Sequence, residues 1–297
     1  MKYLLSTTFL ILSISAIAQI SGTVINATTN QPIPYTNIWL QNQNTGTTAD
    51  ENGNFKFGEL PDTTVLVFSA LGYEYQIIKI NELGQEVKLK PTIFELETVE
   101  ISPPKLQQEF TTGKLKKRKV SFWYCSGKRP FRLGKVFHYK KEYEKTPFIK
   151  TIEFVSKAAE KKRKVLLHIY EIGEGNPKNW NILAQNIEYD IEKGRKVSKV
   201  DLSEHQVKIS EMGVMIVIEW LIIDQNFYEF EATNRKTGKV STYSHYEPCI
   251  GLLPTENLKK DTWTYIGKWT NKQFKVKKIK KYRNKYTELA MEITLSD

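Results

Sequence analysis

Strand-length apolar segments, broken by Asn, Gly and Pro turn signals about every 8 to 12 residues, dominate this chain and confine it to an all-β fold. Residues 20–25 alternate in polarity, and residues 26–34 form a loop carrying Pro32 and Pro34. Residues 35–40 alternate again, with Ile38 and Leu40 on one face and Trp39 on the other. Asp50, Glu51, Asn52 and Gly53 predict a hairpin turn, because Asn-Gly tolerates the positive φ such turns demand. Phe55 and Phe57 then share one face of the return strand. The apolar run 65–69 predicts a strand covered on both sides. Segments 75–80 and 86–89 complete about seven strands, which predicts a sandwich of immunoglobulin or transthyretin type.

After the pair Pro103 and Pro104 the composition changes. Residues 19–104 carry four Lys and no Arg against ten Asp and Glu, whereas residues 105–297 carry 39 Lys and Arg against 23 Asp and Glu. That shift at a stiff, extended Pro-Pro step predicts two independently folded units. Segments 148–155, 165–172, 187–191, 197–202, 207–209, 214–223, 240–246 and 289–295 read as strands. Residues 214–223 are apolar enough for burial on both sides. Roughly eight to ten strands fit a jelly-roll-like sandwich. The predicted organisation is a leader over 1–18, a first sandwich over 19–91, a linker over 92–113 and a second sandwich over 114–297.

The leader is read from Lys2, the apolar run 4–17 and the small-x-small site at Ala16, Ile17 and Ala18 before Gln19. It predicts export, to a periplasmic, outer-membrane-associated or secreted location. Gln19, where a lipoprotein would carry Cys, argues against a lipid anchor. Beyond the leader no apolar run reaches the roughly 20 residues of a membrane helix, and Glu219 interrupts the longest. Cys125 and Cys249 could pair in an oxidising compartment or stay as two buried thiols. With four scattered histidines they make no zinc-ligand spacing, so no metal and no cofactor are predicted.

Four ordered blocks carry a resemblance: residues 20–24, residues 31–38, residues 46–55 with Gly46, Asp50, Gly53 and Phe55, and residues 68–73 with Gly72 and Tyr73. Together they resemble the carboxypeptidase-regulatory-like domain, a transthyretin-like sandwich of bacterial envelope proteins. Asn26 stands where that family usually has an acidic residue. The resemblance implies a non-catalytic accessory or adhesive module. Residues 166–171, 177–183, 200–203 and 217–220 are similar to uncharacterised envelope proteins that append a second sandwich, which implies a fold and no reaction.

No catalytic residues are predicted. His168 and Glu171 match His-x-x-Glu, a zinc spacing, but on a strand positions i and i+3 face opposite ways. Neither His-Glu-x-x-His nor Gly-x-Ser-x-Gly occurs. Basic clusters at 114–119, 161–164 and 275–281 read as solvated hairpin tips and edges, or as attraction to anionic envelope polymers; export makes nucleic acid a poor partner. The candidate ligand-binding residues are Trp180, Trp263 and Trp269, with the first two expected to be exposed in loops, where their rings could stack on sugars. Trp220, in an apolar strand, reads as core. The chain is thus predicted to be a non-enzymatic exported protein that binds a surface glycan or another envelope protein. The alternatives are an accessory or degenerate component of a carboxypeptidase or hydrolase system, and a purely structural scaffold.

Overall fold

The computed structural model describes residues 19–43, 45–92, 108–256, 261–271, 276 and 280–297. The leader, most of the expected linker and most of the third basic cluster lie outside the described residues. Among these there is no α-helix, and no helix is long and apolar enough to cross a membrane.

The first seven strands are β1 (Ile20–Asn26), β2 (Asn37–Leu40), β3 (Gly46–Thr48), β4 (Asn54–Phe57), β5 (Val65–Ser69), β6 (Gln76–Lys79) and β7 (Glu86–Leu89). They form a three-stranded sheet, β4-β1-β7, facing a four-stranded one, β3-β2-β5-β6. Val24, Ile38, Leu40, Phe55, Leu66 and Phe68 fill the space between the sheets. Phe55 meets Phe68 edge-on, with ring centroids 5.3 Å apart. The expected turn is present: the Asp50 carboxylate accepts the N–H of Asn52 and of Asn54, each at 2.8 Å. Gly53 follows with φ +75°, and a Cβ there would meet the Val24 carbonyl oxygen at 2.7 Å. β5 departs from expectation. Leu66 and Phe68 are buried, while Val65 and Val67 are only half-buried, so one face is covered more fully than the other.

The second sandwich contains β8 (Glu109–Lys114), β9 (Phe122–Ser126), β10 (Phe131–Phe137), β11 (Phe148–Ala158), β12 (Arg163–Glu171), β13 (Ile182–Ile191) and β14 (Gly194–Asp201). It continues with β15 (Val214–Trp220), β16 (Phe227–Thr233), β17 (Val240–Thr255), β18 (Thr262–Tyr265), β19 (Trp269–Thr270), β20 (Tyr286–Leu289) and β21 (Met291–Ser296). A six-stranded sheet runs β13-β12-β15-β10-β18-β19. An eight-stranded sheet runs β16-β17-β11-β21-β8, with β14 on β11 and both β9 and β20 on β17. The sandwich is therefore larger than the segment count predicts. Strand β8 also draws residues 109–113, expected as linker, into the sheet by pairing with β21.

β15 explains how the two sandwiches meet. Its Val214, Ile216, Ile218 and Trp220 point into the main core with Phe131, Ile152 and Phe154. Its Met215 and Val217 point the other way, under Tyr170, Trp180 and Trp269. Every residue of β15 is buried, as the apolar run predicts. Part of the outer face is covered by the first sandwich. Tyr35 packs on Leu166 and Leu221, and Trp39 lies edge-on to Tyr265 at 6.4 Å. Backbone contacts reinforce the seam: the Thr48 N–H donates to the Ile222 carbonyl at 3.3 Å, and the Ile222 N–H donates to the Thr48 hydroxyl at 3.0 Å. The units that the Pro-Pro step presents as independent thus share a buried face.

Candidate binding surface

The seam encloses charge. Glu219 on β15 lies directly opposite Arg132 on β10, and His168 on β12 sits on the diagonal, since Leu166 is the residue opposite Glu219. The Arg132 guanidinium donates to Glu219 through Nε at 2.7 Å and through a terminal nitrogen at 3.3 Å. The His168 Nε2 lies 2.7 Å from Glu219 Oε2, and its Nδ1 accepts the Asn186 N–H at 3.1 Å. An imidazole that accepts at Nδ1 carries its proton at Nε2, so His168 donates to the carboxylate. From the first sandwich, the Asn37 amide donates to Glu219 Oε1. Burial pushes the Glu219 carboxyl up, but Arg132 and His168 outweigh it and hold the group down to about 2. Burial, helped by Arg132, pushes His168 down against the pull of Glu219, which keeps the ring neutral.

This constellation is closed. Both oxygens of Glu219 and both ring nitrogens of His168 are occupied by the protein, leaving no lone pair for a metal and no free base for a substrate. Glu171 accepts from the Asn181 amide at 2.9 Å instead of joining His168. The His-x-x-Glu spacing therefore does not converge, as the strand geometry predicts.

The tryptophans occupy the outer face of the six-stranded sheet. Trp180 is 7% exposed, which corrects its reading as an exposed loop residue. Its indole N–H donates to the Glu174 carbonyl, and its ring lies edge-on to Trp263 at 5.7 Å. Trp269 is equally buried, between Tyr170 and Tyr265, and Trp263 is half-buried. The reason is the apolar surface beneath them. Val136, Met215 and Val217 face outward there and draw the indoles down as a cover. Trp220 is fully buried, as expected of a core residue.

The exposed aromatic surface is elsewhere, on the hairpin formed by β16 and β17. Asn234 closes its tip by accepting the N–H of Lys236 and of Thr237, and Gly238 follows at φ +69°. The register sets Phe230 opposite Tyr243 and Tyr228 opposite His245. Period-two alternation puts all four on one face. Phe230 is 38% and Tyr243 is 53% exposed. Their rings are stacked at 5.7 Å and 25°, and Tyr228 stacks on Phe230 at 5.8 Å and 22°. The result is a row of stacked, near-parallel rings, with Phe230 and Tyr243 exposed, on a strand pair that has no further strand beyond β16 among the described residues. Sequence reasoning recognised the alternation of residues 240–246 but not its partner. The signal available was the run Phe227, Tyr228, Glu229, Phe230, Glu231, which alternates at the same period.

Comparison with known proteins bears on the first sandwich. Residues 20–101 match the CarboxypepD_reg-like domain. The match spans the whole N-terminal sandwich. No curated protein matches the chain. Among solved structures, the cysteine protease and lectin-like domains of Cwp84, a surface layer associated protein of Clostridium difficile, align over 56% of this chain and 32% of that one, with 8% identity and a TM-score of 0.31. This chain thus spans about a third of that structure. A DUF3823 family protein from Parabacteroides merdae aligns over 78% of this chain and 96% of that one, with 10% identity and a TM-score of 0.19. The CarboxypepD_reg-like domain contains neither His nor Cys. It contributes Tyr35, Asn37 and Thr48 to the seam, and the hairpin platform lies wholly in the second sandwich.

Proposed function

We propose that this is a non-enzymatic protein of the cell envelope that binds a surface glycan through the β16–β17 hairpin, with the CarboxypepD_reg-like domain as a docked accessory module. The stacked, solvent-exposed pair Phe230 and Tyr243 carries the reading. A pyranose presents an apolar C–H face that packs on exposed aromatic rings, while its hydroxyls need polar neighbours. Ser241 supplies one on the same face, and Arg235, Lys236 and Lys239 at the tip favour acidic sugars. This moves the proposed contact away from Trp180 and Trp269, leaving half-buried Trp263 as the one earlier candidate with ring surface to offer. The non-enzymatic part is supported by the closed hydrogen bonding of the buried Arg132, His168 and Glu219 cluster. The Cys125–Cys249 disulfide fits an oxidising compartment outside the cytoplasm. We place the boundary between the two modules within residues 92–108.

The test is a glycan array probed with the chain from residue 19 onward, followed by titration of the best hit. Phe230→Ala with Tyr243→Ala should weaken binding at least tenfold, about 1.4 kcal/mol. Unchanged affinity in that double variant would remove the hairpin from the site. An empty array would favour the purely structural scaffold that the closed seam alone suggests.

A further inference from the structure

At the foot of the aromatic row, His245, Cys249 and Cys125 converge. In a regular strand, residues four apart share a face but stand about 13 Å from each other along the chain. Here the pairing of β17 with β9 shifts register between Tyr246 and Ile250, and the backbone folds the two side chains together. His245 Nε2 lies 3.7 Å from Cys249 Sγ, and the Cys125 sulfur is bonded to Cys249. All three donor atoms lie within 4.8 Å of one another. Cys249 is buried, whereas His245 and Cys125 are half-buried and reachable from solvent.

We propose that this cluster is a redox-gated metal site: closed as the disulfide, and on reduction a two-thiolate, one-imidazole site for a thiophilic d10 cation, zinc(II) or copper(I). The geometry fits. Tetrahedral zinc with Zn–S of about 2.3 Å and Zn–N of about 2.05 Å needs an N···S edge of about 3.6 Å, close to the contact already present. The two sulfurs must part to about 3.8 Å, which rotation about the Cα–Cβ bonds supplies. The chemistry balances with an external reductant. A trialkylphosphine and one water convert the disulfide to two thiols and a phosphine oxide. The metal then displaces the two thiol protons, and the imidazole binds through the Nε2 lone pair. The fourth position is left to water. The spacing of these three residues in sequence, 125, 245 and 249, matches no recognised zinc motif because the register shift, not the spacing, assembles them.

The experiment uses the chain from residue 19 onward, reduced with a trialkylphosphine, desalted without oxygen and titrated with zinc(II) alone. Cobalt(II) serves as a spectroscopic stand-in. The proposal expects one zinc per reduced chain, none on the oxidised chain, and a sulfur-to-cobalt charge-transfer band. Cys125→Ser should abolish binding, and His245→Ala should weaken it at least tenfold. Near-ultraviolet circular dichroism reports whether the reduced chain keeps its fold. A folded reduced chain that takes up no zinc overturns the proposal, as does equal affinity in His245→Ala. Loss of the near-ultraviolet signal on reduction also overturns it, because no native site then survives opening of the bond.

Discussion

At the seam, Arg132, His168 and Glu219 are buried charges or potential charges; on the hairpin, Phe230 and Tyr243 are large apolar rings left in water. Each region inverts the usual partition of polar and apolar groups. The difference lies in compensation. Both oxygens of Glu219 and both ring nitrogens of His168 have partners, two of the Arg132 nitrogens bond Glu219, and one of the partners, Asn37, comes from the other sandwich. The hairpin rings stack on one another and meet His245 edge-on, and Phe230 and Tyr243 keep more than a third of their surface in water. An inversion that is internally satisfied reads as architecture, holding two modules in one orientation. An inversion left unsatisfied reads as a surface waiting for a partner.

The sharpest way to break this comparison is Glu219→Ala. It strands the Arg132 guanidinium in a dry interface and removes the acceptor for Asn37 and His168. A loss of about 3–5 kcal/mol in urea-induced unfolding is expected. Replacing Arg132, His168 and Glu219 together with Met, Leu and Leu should recover much of it, because no charge is then left unpaired. A cost of less than about 1 kcal/mol for Glu219→Ala would show that the apolar contacts around Tyr35 and Trp39 hold the seam without the ions.

Acid titration probes the same triad more gently. Glu219 is held at about 2 in the folded chain, against 4.5 for an ordinary Glu, chiefly because Arg132 and His168 overcome the effect of burial. A depressed carboxyl contributes its stability above its unfolded value and loses it as pH falls through the folded one. The expected decline between pH 4.5 and about 2 is on the order of 3 kcal/mol. His168 works in the same direction and starts earlier. Its folded value lies below 6.5, so protons favour the unfolded chain as pH drops past that point. The triple apolar variant should show a flatter profile over the whole range.

Lys135 supplies a control, a buried cation without a buried carboxylate beside it. Its ammonium donates to the carbonyls of Leu289 and Met291 at 3.0 and 2.9 Å, and burial pushes it down to about 8. The depressed value means that the charged form weighs against folding. Wild-type stability should therefore rise as pH climbs from about 8 toward 10.5. Lys135→Met should lose that rise, and at pH 7 should match the wild type or exceed it by about 1 kcal/mol, since removal of a desolvated charge offsets the loss of two hydrogen bonds to neutral carbonyls. A large loss at pH 7 would place Lys135 with the seam as a satisfied group.

The sequence made much of this architecture readable, through local signals. The Asp50–Gly53 turn, the two-sided burial of β15 and the core position of Trp220 all follow from short-range patterns. The seam does not. Glu219 stands 87 residues from Arg132, 51 from His168 and 182 from Asn37, so only the sheet order brings them together. Trp180 was misread for a related reason. Its loop looks exposed until the outward face of β15 is known to be apolar. The disulfide stayed open because proximity of Cys125 and Cys249 depends on the register shift in β17. The platform was half-readable: the period of β16 was visible, but nothing local says that its ring-bearing face lacks a cover.

The smallest expected effect on stability tests the other side of the comparison. Phe230→Ser and Tyr243→Ser each remove a ring that is more than a third exposed. Tyr243→Ser loses the cross-strand stack on Phe230, and Phe230→Ser loses that stack together with its contacts to Tyr228 and His245, so each should cost about 0.2–1 kcal/mol in denaturant unfolding, with Phe230→Ser at the upper end. The slope of free energy against denaturant should stay unchanged, because little surface is exposed differently. Combining the two should cost less than the sum, because they remove the same contact twice. Such a near-neutral outcome would mean that the chain keeps a stacked aromatic row on its surface without depending on it to fold. If either substitution instead cost as much as Glu219→Ala, the hairpin rings would be part of the core, and the distinction between the satisfied and unsatisfied inversions would fail.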